Sequence, residues 1–369
     1  MKTKTLLLLG GYGGVGRIIA KMLLEYTDVN IIIAGHREEE AEKLATKLNK
    51  EFNGKRASSS FADTNDLKQL KTVLKNIDMV VVTVASTPHI EQMARLAVEA
   101  NIDWLDIFFR ANAYKTLKKV ENEINKAKLC FITQGGFHPG LPAAFVRHAS
   151  TYIEKLTYAR VAMAMNARFN KAESAYEVID EFKEWKVDIF RDKKWRRATF
   201  KDIWKVNFGE NFGEKNCFPL EMEEMKTLPK HFPLEDTGVY VAGFNWLVDN
   251  FIFPIILIGN KINARLFRHS LAVLFKWGVN NFSSEKQGVA FLLEAHGTTK
   301  GKTMNVRILA EHKNAYLFTA APVVACLMQY LDNKINKTGL HMMGHLVDPA
   351  RLFKDLEKMG LKFSTEVHE

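Results

Sequence analysis

Cysteine is scarce in this chain: Cys130, Cys217 and Cys326 are far apart, odd in number and without C-x-x-C spacing. That pattern excludes a disulfide-stapled scaffold and a structural zinc site, and it fits a reducing, cytoplasmic location. Long apolar runs are missing as well. The most apolar stretch, 251–258 (FIFPIILI), is interrupted by Pro254 and preceded by Asp249 and Asn250, far short of the roughly 20 residues a membrane-spanning helix needs. A buried core segment or a subunit contact is expected there, and membrane association is not. The opening MKTKTLLLLGG has the charged start of a secretion leader, but its apolar core is too short and a small-residue cleavage pattern is lacking, so a strand is expected. Acidic residues are outnumbered, giving a net charge of +10, which suits a cleft for a phosphate-bearing cofactor and an acidic small-molecule substrate. The basic run 193–197 (KKWRR) with Lys201 and Trp204 has no nucleic-acid-binding module around it. It is read as a solvated hairpin, and no nucleic-acid partner is expected.

What is present begins at residue 6. The run LLLLGGYGGVG, 6–16, leads from an uncharged apolar stretch into G-x-G-x-x-G at Gly11, Gly13 and Gly16. In a dinucleotide-binding turn the first glycine permits the tight turn, the second lets backbone approach the pyrophosphate, and the third lets the following helix pack on the sheet. Tyr12, Gly14 and Val15 belong to the same loop, and the helix from Gly14 to Tyr26 aims its N–H groups at the phosphates. Strands at 30–35, 56–61, 78–85, 103–107 and 129–134 alternate with helices at 38–51, 65–76, 89–100 and 113–128. That alternation predicts a Rossmann-type doubly wound parallel sheet with its ligand at the strands' carboxyl ends. Where an NAD-selective site ends its second strand in an acid, this chain has Gly35, His36 and Arg37. The glycine leaves room for a 2′-phosphate and the guanidinium can bind it, so NADP is the expected cofactor, with NAD the alternative. Arg37 also reads as an ordinary solvated residue opening the next helix. Asp63 is placed on the adenine side, and Ala85, Ser86 and Thr87 on the nicotinamide side.

The length of 369 residues calls for two domains. A strand is expected at 156–166, a helix at 173–192, strands at 288–296 and 303–311, a buried helix at 316–331 and a short amphipathic one at 349–359. His341 and His345 share i, i+4 spacing but lack a third ligand, and no metal is expected.

Four segments together, GGYGGVGR at the start, GHR after the second strand, DWLDI at 103–107 and GGFHPGLP at 135–142, resemble the saccharopine dehydrogenase family of NAD(P)-binding oxidoreductases. The resemblance implies a nucleotide domain over 1–136, a substrate and dimerisation domain of α+β type with a mixed or antiparallel sheet over 137–311, and a C-terminal segment of about 312–369 packing back on the first domain. It implies hydride transfer between nicotinamide and a carbon–nitrogen bond, in a homodimer. A divergent branch acts on enoyl or lipid-linked substrates, and a non-catalytic NADP-sensing role is a third reading. Relatives acting on amino acids often carry aspartate where this chain has His138. His138 is the candidate for proton transfer, Asp106 for orienting a base or ammonium, and Arg110 for a substrate carboxylate, with Arg168 a further arginine of that kind. Each also has a structural reading: a turn histidine, a capping carboxylate, a surface ion pair.

Overall fold

The computed structural model describes residues 3–84, 88–108, 111–166, 168–169, 172–176, 179, 187–283 and 287–369. The chain divides into two compact units, Met1–His148 with Tyr316–Gly360, and Ala149–Ala315 with Leu361–Glu369.

In the first unit the short apolar runs become strands β1 (Thr5–Leu9), β2 (Asn30–Gly35), β3 (Ala57–Phe61), β4 (Met79–Val82), β5 (Asp103–Asp106) and β6 (Cys130–Thr133). All pair in parallel, in the order β3-β2-β1-β4-β5-β6, the doubly wound order whose switch point lies between β1 and β4. Leu6 to Leu9 and Val80 to Val82 are buried on both faces of the sheet, as a parallel sheet covered by helices on both sides requires. The helices are α1 (Gly14–Tyr26), α2 (Glu38–Glu51), α3 (Leu67–Val73), α4 (Ile90–Glu99), α5 (Ala111–Lys118), α6 (Glu121–Ala127) and α7 (Leu141–Ala149). The single helix expected over 113–128 is therefore two, and the break brings Leu117, Val120 and Ile124 into one buried cluster with Trp104 and Phe131.

The second unit is built on β7 (Lys155–Asn166), β8 (Asp188–Arg191), β9 (Lys194–Arg197), β10 (Trp204–Asn207), β11 (Glu214–Leu220), β12 (Asp236–Ala242), β13 (Gly288–Thr299) and β14 (Lys302–His312). The main path runs β10-β11-β12-β7-β13-β14. Its β12–β7 pair is parallel and the others antiparallel, the mixed sheet expected. Lys300 and Gly301 close the β13–β14 hairpin with φ of 51° and 81°, the left-handed pair that matches strand twist. The helix expected over 173–192 is not what forms at its described end. Asp192 and Lys193, at φ 50° and 62°, turn β8 back against β9, and ladder bonds take the place of helical ones. The basic run on β9 is exposed, with Arg196 paired to Asp202 and Arg197 to Asp188.

Helix α8 (Phe253–Phe282) breaks at Asn263, at φ −159° and ψ 91°. The Asn263 side chain accepts the Leu266 N–H at 3.0 Å and so starts the second arm. The two arms fold side by side. A Cβ on Gly259 would meet Leu271 at 3.1 Å, and one on Gly278 would meet Ile252 at 2.3 Å. The segment 251–258 divides: Ile252, Phe253 and Ile256 enter a buried cluster, as a core segment would, whereas Phe251, Ile255 and Ile258 face outward. The helical period divides an all-apolar segment between two environments.

The C-terminal segment is shared between the units. Helix α9 (Ala315–Leu331) is apolar and largely buried, β15 (Gly339–Met342) adds in parallel beside β6 at the edge of the first sheet, and α10 (Pro349–Lys358) follows. Strand β16 (Lys362–His368) instead pairs with β14 of the second sheet, so the last residues leave the domain on which they were expected. The first boundary falls after 148 because α7 is held within the first unit. Phe145 packs on Phe353 at 4.7 Å and Arg147 donates to the Gly344 and Val347 carbonyls. His341 lies on β15 and His345 on the short helix Met343–Leu346, so no common helix face carries them. At Gly297 the register of β13 against β7 slips, and a Cβ there would lie 2.1 Å from the Lys155 carbonyl oxygen. Gly297→Ala is expected to cost about 1–3 kcal/mol in urea unfolding; an unchanged midpoint would show that the sheet relaxes freely at this point.

Candidate cofactor-binding site

The site grows from the end of β1. Gly10 is the turn residue with left-handed φ, 85°, one position earlier than expected, and its N–H donates to the Ala34 carbonyl at 2.8 Å. Gly11 is required for a different reason, since a Cβ would lie 2.9 Å from the Leu8 carbonyl oxygen. Gly16 admits no side chain either: its Cβ would be 2.4 Å from the Gly10 oxygen, so the first turn of α1 lies directly on the loop. Gly13 is open except for the Gly10 oxygen at 3.1 Å. Arg17 locks the loop by donating to the Tyr12 carbonyl at 2.8 Å and the Gly13 carbonyl at 3.3 Å. No side chain caps α1 and no acid lies in its first turn, which leaves its leading N–H groups and dipole for an anion.

A cleft of about 710 Å³ opens here, lined by Gly10, Tyr12, Gly13, Gly14, Val15, Gly35, His36 and Asp63 among others. Its wall brings in Thr64, Asn65, Thr83, Val84, Ile107 and Tyr316, which the sequence reading missed. Position past the third and fourth strands signalled the first four, but nothing local signalled Tyr316. It arrives on α9 from the far end of the chain and lies against Gly14, where a Cβ would be 2.8 Å from its ring. Ala85, Ser86, Thr87 and Arg110 lie outside the described residues.

At the second strand the reason for Gly35 differs from the one expected. The space over it is filled by the Tyr12 ring, 2.5 Å from where a Cβ would stand. The Tyr12 hydroxyl accepts the Arg37 backbone N–H at 3.0 Å and lies 3.5 Å from His36 Nδ1. The Arg37 guanidinium lies 5.0 Å from the Tyr12 ring centre, is exposed, and has no ion pair among the described residues. A cation in this state keeps its full charge for a phosphate. Asp63 fixes the turn after β3 through the Asn65 backbone N–H at 2.9 Å.

Asp106 is fully buried at the end of β5. Its carboxylate accepts from Trp104 Nε1 at 2.7 Å, the Thr133 hydroxyl at 2.9 Å, and the N–H groups of Phe108 at 3.1 Å and Gln134 at 3.2 Å. Burial raises its pKa to about 6 against those four bonds, which lower it. The carboxylate thus ties the ends of β5 and β6 to the loop that carries His138. That loop packs on α9 through Phe137 and Phe318, edge to face at 5.4 Å. His138 precedes a cis proline, Pro139. Desolvation lowers its pKa to about 3, so the ring is neutral at physiological pH. It is not among the residues lining the cleft.

Residues 6–132 match the family model of the saccharopine dehydrogenase NADP binding domain. The first unit carries an NADP-binding domain of the saccharopine dehydrogenase type. The capless α1, the open Gly13 backbone and unpaired Arg37 all fit that cofactor. No curated protein matches the chain in sequence. Among solved structures, apo saccharopine dehydrogenase (L-Glu forming) from Saccharomyces cerevisiae is similar over 99% of this chain and 100% of its own, with a TM-score of 0.72 at 16% identity, a likeness of fold. C. glutamicum DAP dehydrogenase in complex with DAP aligns with 97% of this chain and 99% of its own, at 11% identity and a TM-score of 0.49. Among the described residues no helix is long and apolar enough to cross a membrane.

Gly35→Ala is expected to push the Tyr12 ring aside and weaken NADPH binding about tenfold; unchanged affinity in a fluorescence titration would remove Tyr12 from the site's support. Asp106 makes a second, pH-dependent test. Its folded pKa lies above the ordinary aspartate value of 3.8, so the folded state binds more protons between about pH 4 and 6 and its stability falls as pH rises through that window. Wild type is expected to lose about 3 kcal/mol relative to Asp106→Asn between pH 4 and 7; parallel stability curves for the two proteins would contradict this.

Proposed function

We propose that the protein is an NADP-dependent oxidoreductase that moves a hydride between the nicotinamide and a carbon–nitrogen bond of a small, acidic, amino-acid-like substrate. The observation that carries this reading is the match of residues 6–132 to an NADP-binding domain, whose uncapped helix N-terminus faces a cleft of dinucleotide size. When bound, the nicotinamide supplies the hydride donor or acceptor. The chain's own residues do the rest. The first turn of α1 and the Gly13 backbone hold the pyrophosphate, Arg37 binds the 2′-phosphate, and Thr83, Val84 and Ile107 form the wall beyond β4 and β5.

Asp106 is a positioning residue in this scheme, because one carboxylate oxygen accepts from Trp104 Nε1 and the other from Phe108, Thr133 and Gln134, at the start of the loop that carries His138. His138, neutral at working pH, serves as a hydrogen-bond partner that orients the substrate rather than as a stored proton. Arg110 is retained as the partner for a substrate carboxylate. A second reading, reduction of an enoyl or lipid-linked substrate, is favoured by the outward apolar residues of α8. A screen of amino-acid, imine and enoyl compounds by nicotinamide absorbance separates the two, and turnover of none would favour an NADP-sensing role.

NADPH is expected to bind at least about tenfold tighter than NADH, with Arg37→Ala removing the difference, since hydrogen bonds to a charged group contribute about 1.5–3 kcal/mol. Equal binding of both cofactors by wild type would reject the 2′-phosphate assignment. For His138, kcat/KM is expected to show no inflection between pH 5 and 8 from this ring, with His138→Gln keeping most of the activity that His138→Ala loses. If both substitutions cost the roughly 100-fold or more typical of lost proton transfer, the orienting role is wrong.

A further inference from the structure

We propose that the helical hairpin formed by the two arms of α8 docks the protein on the surface of an anionic lipid bilayer. Ten of the fourteen large apolar side chains exposed among the described residues fall between Trp246 and Phe282. Phe251, Ile255, Ile258 and Ile262 recur at helical spacing along the outer face of the first arm. The stripe continues past the break at Asn263 to Leu266, and Ile262 and Leu266 are about 70% exposed. A contiguous apolar surface of this kind on a folded chain marks a docking face.

Charge decides the occupant. Residues 250–283 hold Lys261, Arg265, Arg268 and Lys276 and no aspartate or glutamate. Lys261 and Arg265 directly flank the hairpin tip and make no ion pair among the described residues. A second copy of the same face would set cations against cations, whereas anionic headgroups complement them. Trp277 at the other end of the second arm is half exposed beside Phe282, and indole rings favour the headgroup level. Since no described helix is long and apolar enough to cross, the hairpin lies in the interface with its outer face toward the acyl chains. This proposal is independent of the reaction assigned above.

The test is flotation of the full chain with vesicles of phosphatidylcholine alone and of phosphatidylcholine with about 30 mol% phosphatidylglycerol. Partition onto the anionic vesicles is expected to exceed that onto neutral ones at least about tenfold and to weaken in high salt. Ile262→Asp with Leu266→Asp should abolish binding, and Lys261→Glu with Arg265→Glu should remove the preference for anionic lipid. Circular dichroism and a cooperative thermal transition matching wild type in both variants would show that each is folded. Absence of flotation with anionic vesicles at low salt, or equal binding by the Ile262→Asp, Leu266→Asp variant, overturns the proposal. So does a dimer in sedimentation that this variant dissociates while wild type fails to float, since the face would then join two copies of the chain.

Discussion

A buried carboxylate governs the carboxyl edge of the first sheet. Asp106 draws four donors from three places, the β5 strand itself, the turn after it and the end of β6, into one point from which water is excluded. Ionising such a group is unfavourable in a low-dielectric interior, and the four bonds are what make it tolerable. The Gly135 N–H adds a bond to the Asp106 backbone carbonyl at 2.8 Å. The loop bearing His138 therefore takes its place from β5, although it follows β6 in sequence. Any substitution that leaves one of those donors unmatched disturbs both strand ends at once.

The cofactor loop depends on the opposite principle, the absence of side chains. Gly11 and Gly16 are tolerated because nothing else fits against Leu8 and the Gly10 oxygen, and Gly10 because its φ is positive. From within the loop itself one large side chain fills the crowded region. Tyr12 spans from the phosphate loop to the end of β2 and contacts Gly35, His36 and Arg37 together. The phosphate cradle and the ribose end of the cleft are thereby coupled through a single ring.

Periodicity and the glycine spacing made the first sheet legible in sequence, because a parallel strand buried on both faces has few alternatives to a short apolar run. The site was legible where it follows strand order: the loop at 10–16, the 35–37 corner and Asp63. Tyr316 was not, since a contact made across three hundred residues leaves no local trace. Gly35 was read correctly as a constraint but for the wrong occupant, the Tyr12 ring filling the space assigned to a phosphate. The helix expected over 173–192 does not reach its described end, where two left-handed residues turn the chain into a strand pair. In the stretch 251–258 composition alone could not tell which side of an all-apolar helix the core covers.

Strand β15 completes the first sheet with residues 339–342, more than two hundred positions after β6. During synthesis β6 therefore waits as an open edge, all four of its residues apolar or hydroxylated and buried in the folded unit, until residues 339–342 have emerged. Open edges of this composition template pairing with other chains. The order in which a ribosome delivers two neighbouring strands thus sets how long this edge stays open to other chains.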